Sequence, residues 1–197
     1  MNYEQVRELT NEYINEMKNA IKSIDSKELF NVIEVILNAY KAGNKVIVFG
    51  NGGSGNLASH LVQDLAKHTI VGNNKAEVKV QKRFKALCLN ECVSCMTTWA
   101  NDVGYDKVYS EQLINWVEPW DVVIGITGSG NTPNVINALE VANAKGAVSV
   151  SFTGGGKVLK VAQYNIVIKD STAYCVEDAL SCVVHLITDI IRNEIQK

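Results

Sequence analysis

Lys45-Val46-Ile47-Val48-Phe49-Gly50-Asn51-Gly52-Gly53-Ser54-Gly55-Asn56 sets an apolar, β-branched run directly against a glycine-rich turn. An apolar run of this length ending on glycine reads as a strand buried on both faces, and the helical pattern over 56–67 reads as the helix that follows it. The same alternation recurs downstream. Further apolar runs lie at 84–89, 121–127, 147–153 and 164–168, with helical patterns at 93–100, 134–145 and 176–194. Strands alternating with helices predict an α/β fold. The expected form is a three-layer sandwich around a five-stranded, mainly parallel, Rossmann-like sheet with right-handed crossovers. Ligands of such sheets bind outside the carboxyl ends of the strands, so function is sought in the turns that leave them.

Upstream of this unit, Val6, Leu9, Tyr13, Met17 and Ile21 recur at helical spacing. After a break at 23–26, which offers an N-cap, Phe30, Ile33, Ile36, Leu37 and Tyr40 form a second apolar stripe that Gly43 ends. The expectation is one domain over 1–197: a helical pair over 1–42, then an α/β core over 43–197. The pair can cover the core or dock against a second subunit.

Composition excludes several classes. A net charge of −2 gives no global basic field for nucleic acid. The N-terminus lacks a basic stretch followed by an apolar run, and the longest uncharged stretch, 122–139, is too rich in Gly, Thr, Ser and Asn to span a membrane. A cytoplasmic protein with no membrane partner follows as the expectation. Five cysteines, an odd number, read as reduced thiols, buried or incidental. Cys88, Cys92 and Cys95 lack a second Cys/His pair at zinc-site spacing. The run 72–85 carries five basic residues against Glu77 and reads as a solvated loop.

Two turns carry the chemistry. In the first, Asn51, Gly52, Gly53 and Ser54 precede a helix, so free N–H groups and the helix dipole favour an anion there. Gly50, Gly52 and Gly55 also fit G-x-G-x-x-G, but the region 70–75 shows no strand ending in the acid that a dinucleotide ribose needs. In the second, Thr127, Gly128, Ser129, Gly130, Asn131 and Thr132 interleave hydroxyls with glycines ahead of Pro133, which suits a first helical turn. No Lys follows, so this is a neutral phosphate cup and not a nucleotide P-loop.

His60 and Asp64 stand four residues apart on one helix face. Glu177 and His185 lie on the last long helix. Such a set can bind a divalent metal such as zinc, or supply a base and an acid for proton transfer. Each also has a plainer reading, as an exposed helix pair or a core histidine. Glu177 and His185 are separated by about 12 Å of helix rise, so both reach one ion only by leaning together. His68 reads as a helix-end cation.

These segments together resemble the phosphoheptose isomerase branch of the SIS family. The resemblance is carried by 49–54, Ser59-His-Leu-Val-Gln-Asp-Leu65, Thr98-Trp-Ala-Asn-Asp-Val-Gly-Tyr105, Gly128-Ser-Gly-Asn-Thr-Pro-Asn-Val-Ile136, and Val176-Glu-Asp178 followed by His185. It implies the SIS fold and a homotetramer with interfacial active sites. It implies conversion of sedoheptulose 7-phosphate to an aldoheptose 7-phosphate through an enediol. Ser54, Thr127, Ser129 and Thr132 fall at its phosphate positions, and Asn51 and Asp102 in segments lining the sugar. His60, Asp64, Glu177 and His185 fall at its metal and acid/base positions, with Asp64 and His185 as the catalytic pair. The best-known members carry Glu, Gln and Asp where this chain has Asp64, Glu177 and Tyr174. A rival expectation is a non-catalytic sugar-phosphate regulator like the replication-initiator-associating protein, and a second is a dinucleotide oxidoreductase.

Overall fold

The computed structural model describes residues 1–70, 82–169 and 172–197. Two helices come first in the chain, α1 (Tyr3–Lys22) and α2 (Ser26–Ala42). Asn2 and Gln5 close a capping box on α1, and Asp25 caps α2 by accepting from the Lys27 and Glu28 amides. Gly43, with φ +81°, ends α2 in the left-handed conformation that a Cβ disfavours.

The remaining elements alternate as expected. They are β1 (Lys45–Gly50), α3 (Gly53–Gln63), β2 (Lys85–Cys88), α4 (Val93–Asp102), α5 (Val108–Trp116), β3 (Val122–Thr127), α6 (Pro133–Ala144), β4 (Val148–Thr153), β5 (Tyr164–Val167) and α7 (Ala173–Ile195). All five strands are parallel, in the order β2-β1-β3-β4-β5. The pleat divides the core. Val46, Val48, Val122, Ile124 and Ile126 point to the layer holding α2, α3 and α7, while Ile47, Phe49 and Val123 point to the layer holding α5 and α6. The three-layer sandwich is thus as the alternation predicted. At the amino end of the sheet the buried Asp121 carboxylate accepts the Lys45 amide (2.7 Å) and pairs with its ammonium (3.0 Å), fixing where β1 and β3 enter.

The strand order reverses between β1 and β3, whose residues Gly50 and Ile126 are register partners. The turns after these two strands therefore diverge to opposite layers and leave a crevice between them. Both glycine-rich turns lie there.

Two points of the sequence reading need revision. The helix α5 was not anticipated, because 108–116 presents its buried residues over too short a window to show a period. The reading of five reduced thiols holds for Cys88, Cys175 and Cys182, but Cys92 and Cys95 pair as a disulfide across the first turn of α4. Helical i,i+3 spacing brings their Cα atoms to 5.2 Å. The solvated loop expected at 72–85 falls mostly outside the described residues. Among those described, no helix is long and apolar enough to cross a membrane.

Candidate functional site

The first turn is built from beneath. Asn90, just past β2, donates to the Gly50 carbonyl at 2.7 Å, and the buried Tyr109 hydroxyl donates to the same oxygen. Burial pushes the Tyr109 phenol well above its usual range, so it remains a neutral donor. The Asn51 carboxamide is fully engaged. Its oxygen accepts from Tyr105 (3.0 Å) and lies 2.9 Å from the Tyr109 hydroxyl, and its nitrogen donates to Asn134 (2.9 Å). These bonds fix Asn51, which the resemblance placed in a segment lining the sugar, within the turn. From the 98–105 segment it is Tyr105 that reaches this turn, while Asp102 is exposed at the end of α4 and accepts from Asn101. No side chain caps the start of α3, where Gly52, Gly53 and the buried Ser54 stand.

The second turn rests on a third. Thr127 is buried, its hydroxyl 2.8 Å from that of Thr132 and accepting the Gly130 amide at 3.2 Å. Gly128 and Gly130 carbonyls accept from Gly154 and Val158, and Asn131 accepts the Lys157 amide at 3.1 Å. Gly130, with φ +65°, packs so closely that a Cβ would stand 1.6 Å from the Gly155 carbonyl oxygen. The exposed hydroxyl of the turn is that of Ser129. The supporting turn, Gly154-Gly155-Gly156 after β4, was legible as a third glycine run at a strand end but was not singled out.

The titratable groups converge in part. His60 Nε2 is 3.2 Å from His185 Nε2 and 3.5 Å from Asp64 Oδ2. Ligand atoms of His60, Asp64 and His185 all lie within 4.8 Å of one another. They meet because α3 and α7 pack side by side in the same direction. Glu177, expected at a metal position, is not among the ligand atoms of this cluster. Its carboxylate lies against Gly53 at the start of α3, where an added Cβ would stand 2.6 Å from Oε2. Eight residues of α7, a rise of about 12 Å, separate it from His185. Tyr174 is exposed one turn earlier on α7.

A divalent metal fits the three that remain. Two imidazoles and a carboxylate are a common three-ligand set with an open position. Asp64 is 1% exposed, yet Oδ1 has no hydrogen-bond partner, although His68 Nδ1 lies 2.9 Å away. A buried carboxylate without hydrogen bonds or a counter-cation is costly. Asp64 and His185 line a cleft of about 220 Å³ together with His68, Thr188, Asp189 and Arg192.

Comparison with known proteins gives a consistent result. The SIS domain family model matches residues 12–154. A probable phosphoheptose isomerase from Thermoplasma volcanium is 35% identical over 182 residues, covering 91% of this chain and 89% of that protein. The phosphoheptose isomerase of Citrifermentans bemidjiense is 32% identical over 182 residues, 91% of each. Among solved structures, a phosphoheptose isomerase from Francisella tularensis superposes with a TM-score of 0.85 at 20% identity, over 98% of this chain and 100% of that one, and so shares the fold.

Proposed function

The chain belongs to the SIS domain family and is an isomerase of it, and from that premise we propose that it interconverts a ketose phosphate, sedoheptulose 7-phosphate or a close relative, and the corresponding aldose phosphate. The observation that supports this reading is a His/Asp/His cluster on α3 and α7, with glycine-rich turns at the starts of α3 and α6. The phosphate is assigned to the Thr127–Thr132 turn and Ser54, with Ser129 as the exposed hydroxyl donor and Gly128 and Asn131 shaping the cup. Gly53 at the start of α3 and His60 are seven residues apart, about 10 Å along the axis, comparable with the reach of an extended heptose phosphate. The ester then sits at the turns and the reacting carbons at the cluster, with Glu177 and the Gly52–Gly53 amides placed to meet sugar hydroxyls between.

Proton transfer follows from that placement. Asp64 takes a proton from C1, and the C–H electrons form the enediol double bond while the C2 carbonyl oxygen is protonated. Returning the proton to C2, with loss of the O1 proton, gives the aldehyde, and no atom is gained or lost. His185 exchanges protons with the two oxygens. His60, Asp64 and His185 would hold a divalent cation such as zinc, which when bound supplies positive charge that stabilises developing negative charge on oxygen. The ester, remote from the reacting carbons, contributes binding that orients them.

A homotetramer is part of this proposal. Val6, Leu9, Tyr13, Ile14, Ile21 and Phe30 leave an apolar stripe exposed along α1 and α2, of the kind that marks an interaction face. We also place the enzyme in the cytoplasm, since an anionic sugar ester stays in the aqueous compartment that forms it.

The direct test is incubation of the purified protein with sedoheptulose 7-phosphate, expecting an aldose product. Silence with that and related ketose phosphates, with and without zinc, would reject the isomerase in favour of a sugar-phosphate-binding regulator. Ser129→Ala is expected to raise KM about tenfold or more with kcat little changed, since a hydrogen bond to a charged group contributes about 1.5–3 kcal/mol. Steady-state kinetics decides it. An unchanged KM would move the phosphate off this turn.

A further inference from the structure

We propose that His68 is a positioning residue for Asp64, holding one oxygen of that carboxylate so that the other stays turned to His60 and His185. The inference rests on the metal-binding reading of the cluster given above.

Asp64 has a histidine one turn before it and another one turn after it, His60 and His68. The two contact different oxygens. His60 Nε2 approaches Oδ2 at 3.5 Å, and His68 Nδ1 approaches Oδ1 at 2.9 Å. Residues Asp64–His68 form a π-helical turn that continues α3. Such turns are uncommon within helices and concentrate at functional sites. Here the turn sets His68 at the cleft mouth, its side chain 56% exposed, while the Asp64 side chain beside it is 2% exposed.

The His60, Asp64 and His185 ligand atoms form one cluster, and His68 stands outside it. His68 is therefore an outer partner of a ligand. Its N–H is at contact distance from Oδ1 but not aligned with it, so that Oδ1 lacks a hydrogen bond. A rotation of the exposed imidazole about its soft terminal torsion brings the N–H into line without moving the backbone. Fixing Oδ1 removes the freedom of the carboxylate to turn away from His60. Outer partners of this kind typically contribute 10–100-fold to metal affinity.

The test is a zinc titration of the full chain against a chromophoric chelator, with His68→Leu and His68→Asn beside the unaltered protein. The Asn amide places an N–H near the position of Nδ1, whereas Leu places none. His68→Leu is expected to bind zinc about 10–100-fold more weakly, and His68→Asn close to the unaltered protein. Circular dichroism of all three should coincide, because the side chain is exposed. Equal zinc affinity for the unaltered chain and His68→Leu would overturn the positioning role alone. Equal loss in both variants would also overturn it, since the ring would then be a ligand in its own right. An unaltered chain that takes up no zinc would overturn the metal reading and this inference together.

Discussion

Asp64→Asn is expected to lower turnover by about 10²–10⁴-fold, the usual contribution of a positioned general base, while affinity for inorganic phosphate stays near that of the unaltered protein. The substitution keeps size and shape, so packing is little disturbed. What changes is chemistry. An amide accepts no proton at these pH values and presents N–H groups where imidazole nitrogens converge at 3.5 Å and 2.9 Å. It is also a poorer ligand for a divalent cation, so zinc uptake should fall along with turnover. The phosphate turn is built from β3, β4 and the start of α6 and shares no hydrogen bond with Asp64. Phosphate binding, followed calorimetrically, therefore separates loss of chemistry from loss of fold. Turnover close to normal would remove Asp64 from the mechanism. Joint loss of turnover and phosphate binding would show that the two halves of the site are not independent.

The features that were legible in the sequence are those set by local rules. The apolar runs placed all five strands to within a residue at either end, because in a parallel sheet both faces are buried and the runs are predominantly apolar. The two glycine turns were legible because each must begin a helix within a few residues of a strand end. The His60–Asp64 pair was legible from i,i+4 spacing, and His185 joins it through packing of α7 on α3 that no local pattern specifies. Glu177 shows the converse. The resemblance grouped it with the metal set, whereas in this structure its carboxylate lies at Gly53. Asn90, Tyr109 and Asn134 could not be singled out, since their role lies in hydrogen bonds spanning from 19 to 83 residues of sequence. His68 was visible at i+4 from Asp64, but a charge near a helix end has a sufficient dipole explanation, and only the 2.9 Å contact sets that aside.

Gly130→Ala is expected to damage the protein more than any single loss of a hydroxyl in the site. At φ +65° an L-residue with a Cβ is strained by about 1–2 kcal/mol. The larger effect is steric. The new Cβ would stand 1.6 Å from the Gly155 carbonyl oxygen and 2.8 Å from Thr153 Oγ1, and the first of these is backbone, so no side-chain rotation relieves it. The turn after β3 must then separate from the turn after β4. Separation breaks the bonds from Gly154 to Gly128 and from Val158 to Gly130, and it moves Ser129 away from its place in the cup. A loss of at least about 2 kcal/mol is expected, or a fall in Tm of about 4–8 °C for a chain of this size. The rise in KM should exceed that of Ser129→Ala. Gly128→Ala is the control. Two residues away in the same turn, a Cβ there meets nothing within 4 Å, and its φ is not positive. Differential scanning calorimetry of the pair should show the first variant clearly destabilised and the second near the unaltered protein. If both melt alike, close approach of the two turns is not what shapes the cup, and the phosphate assignment loses its structural basis.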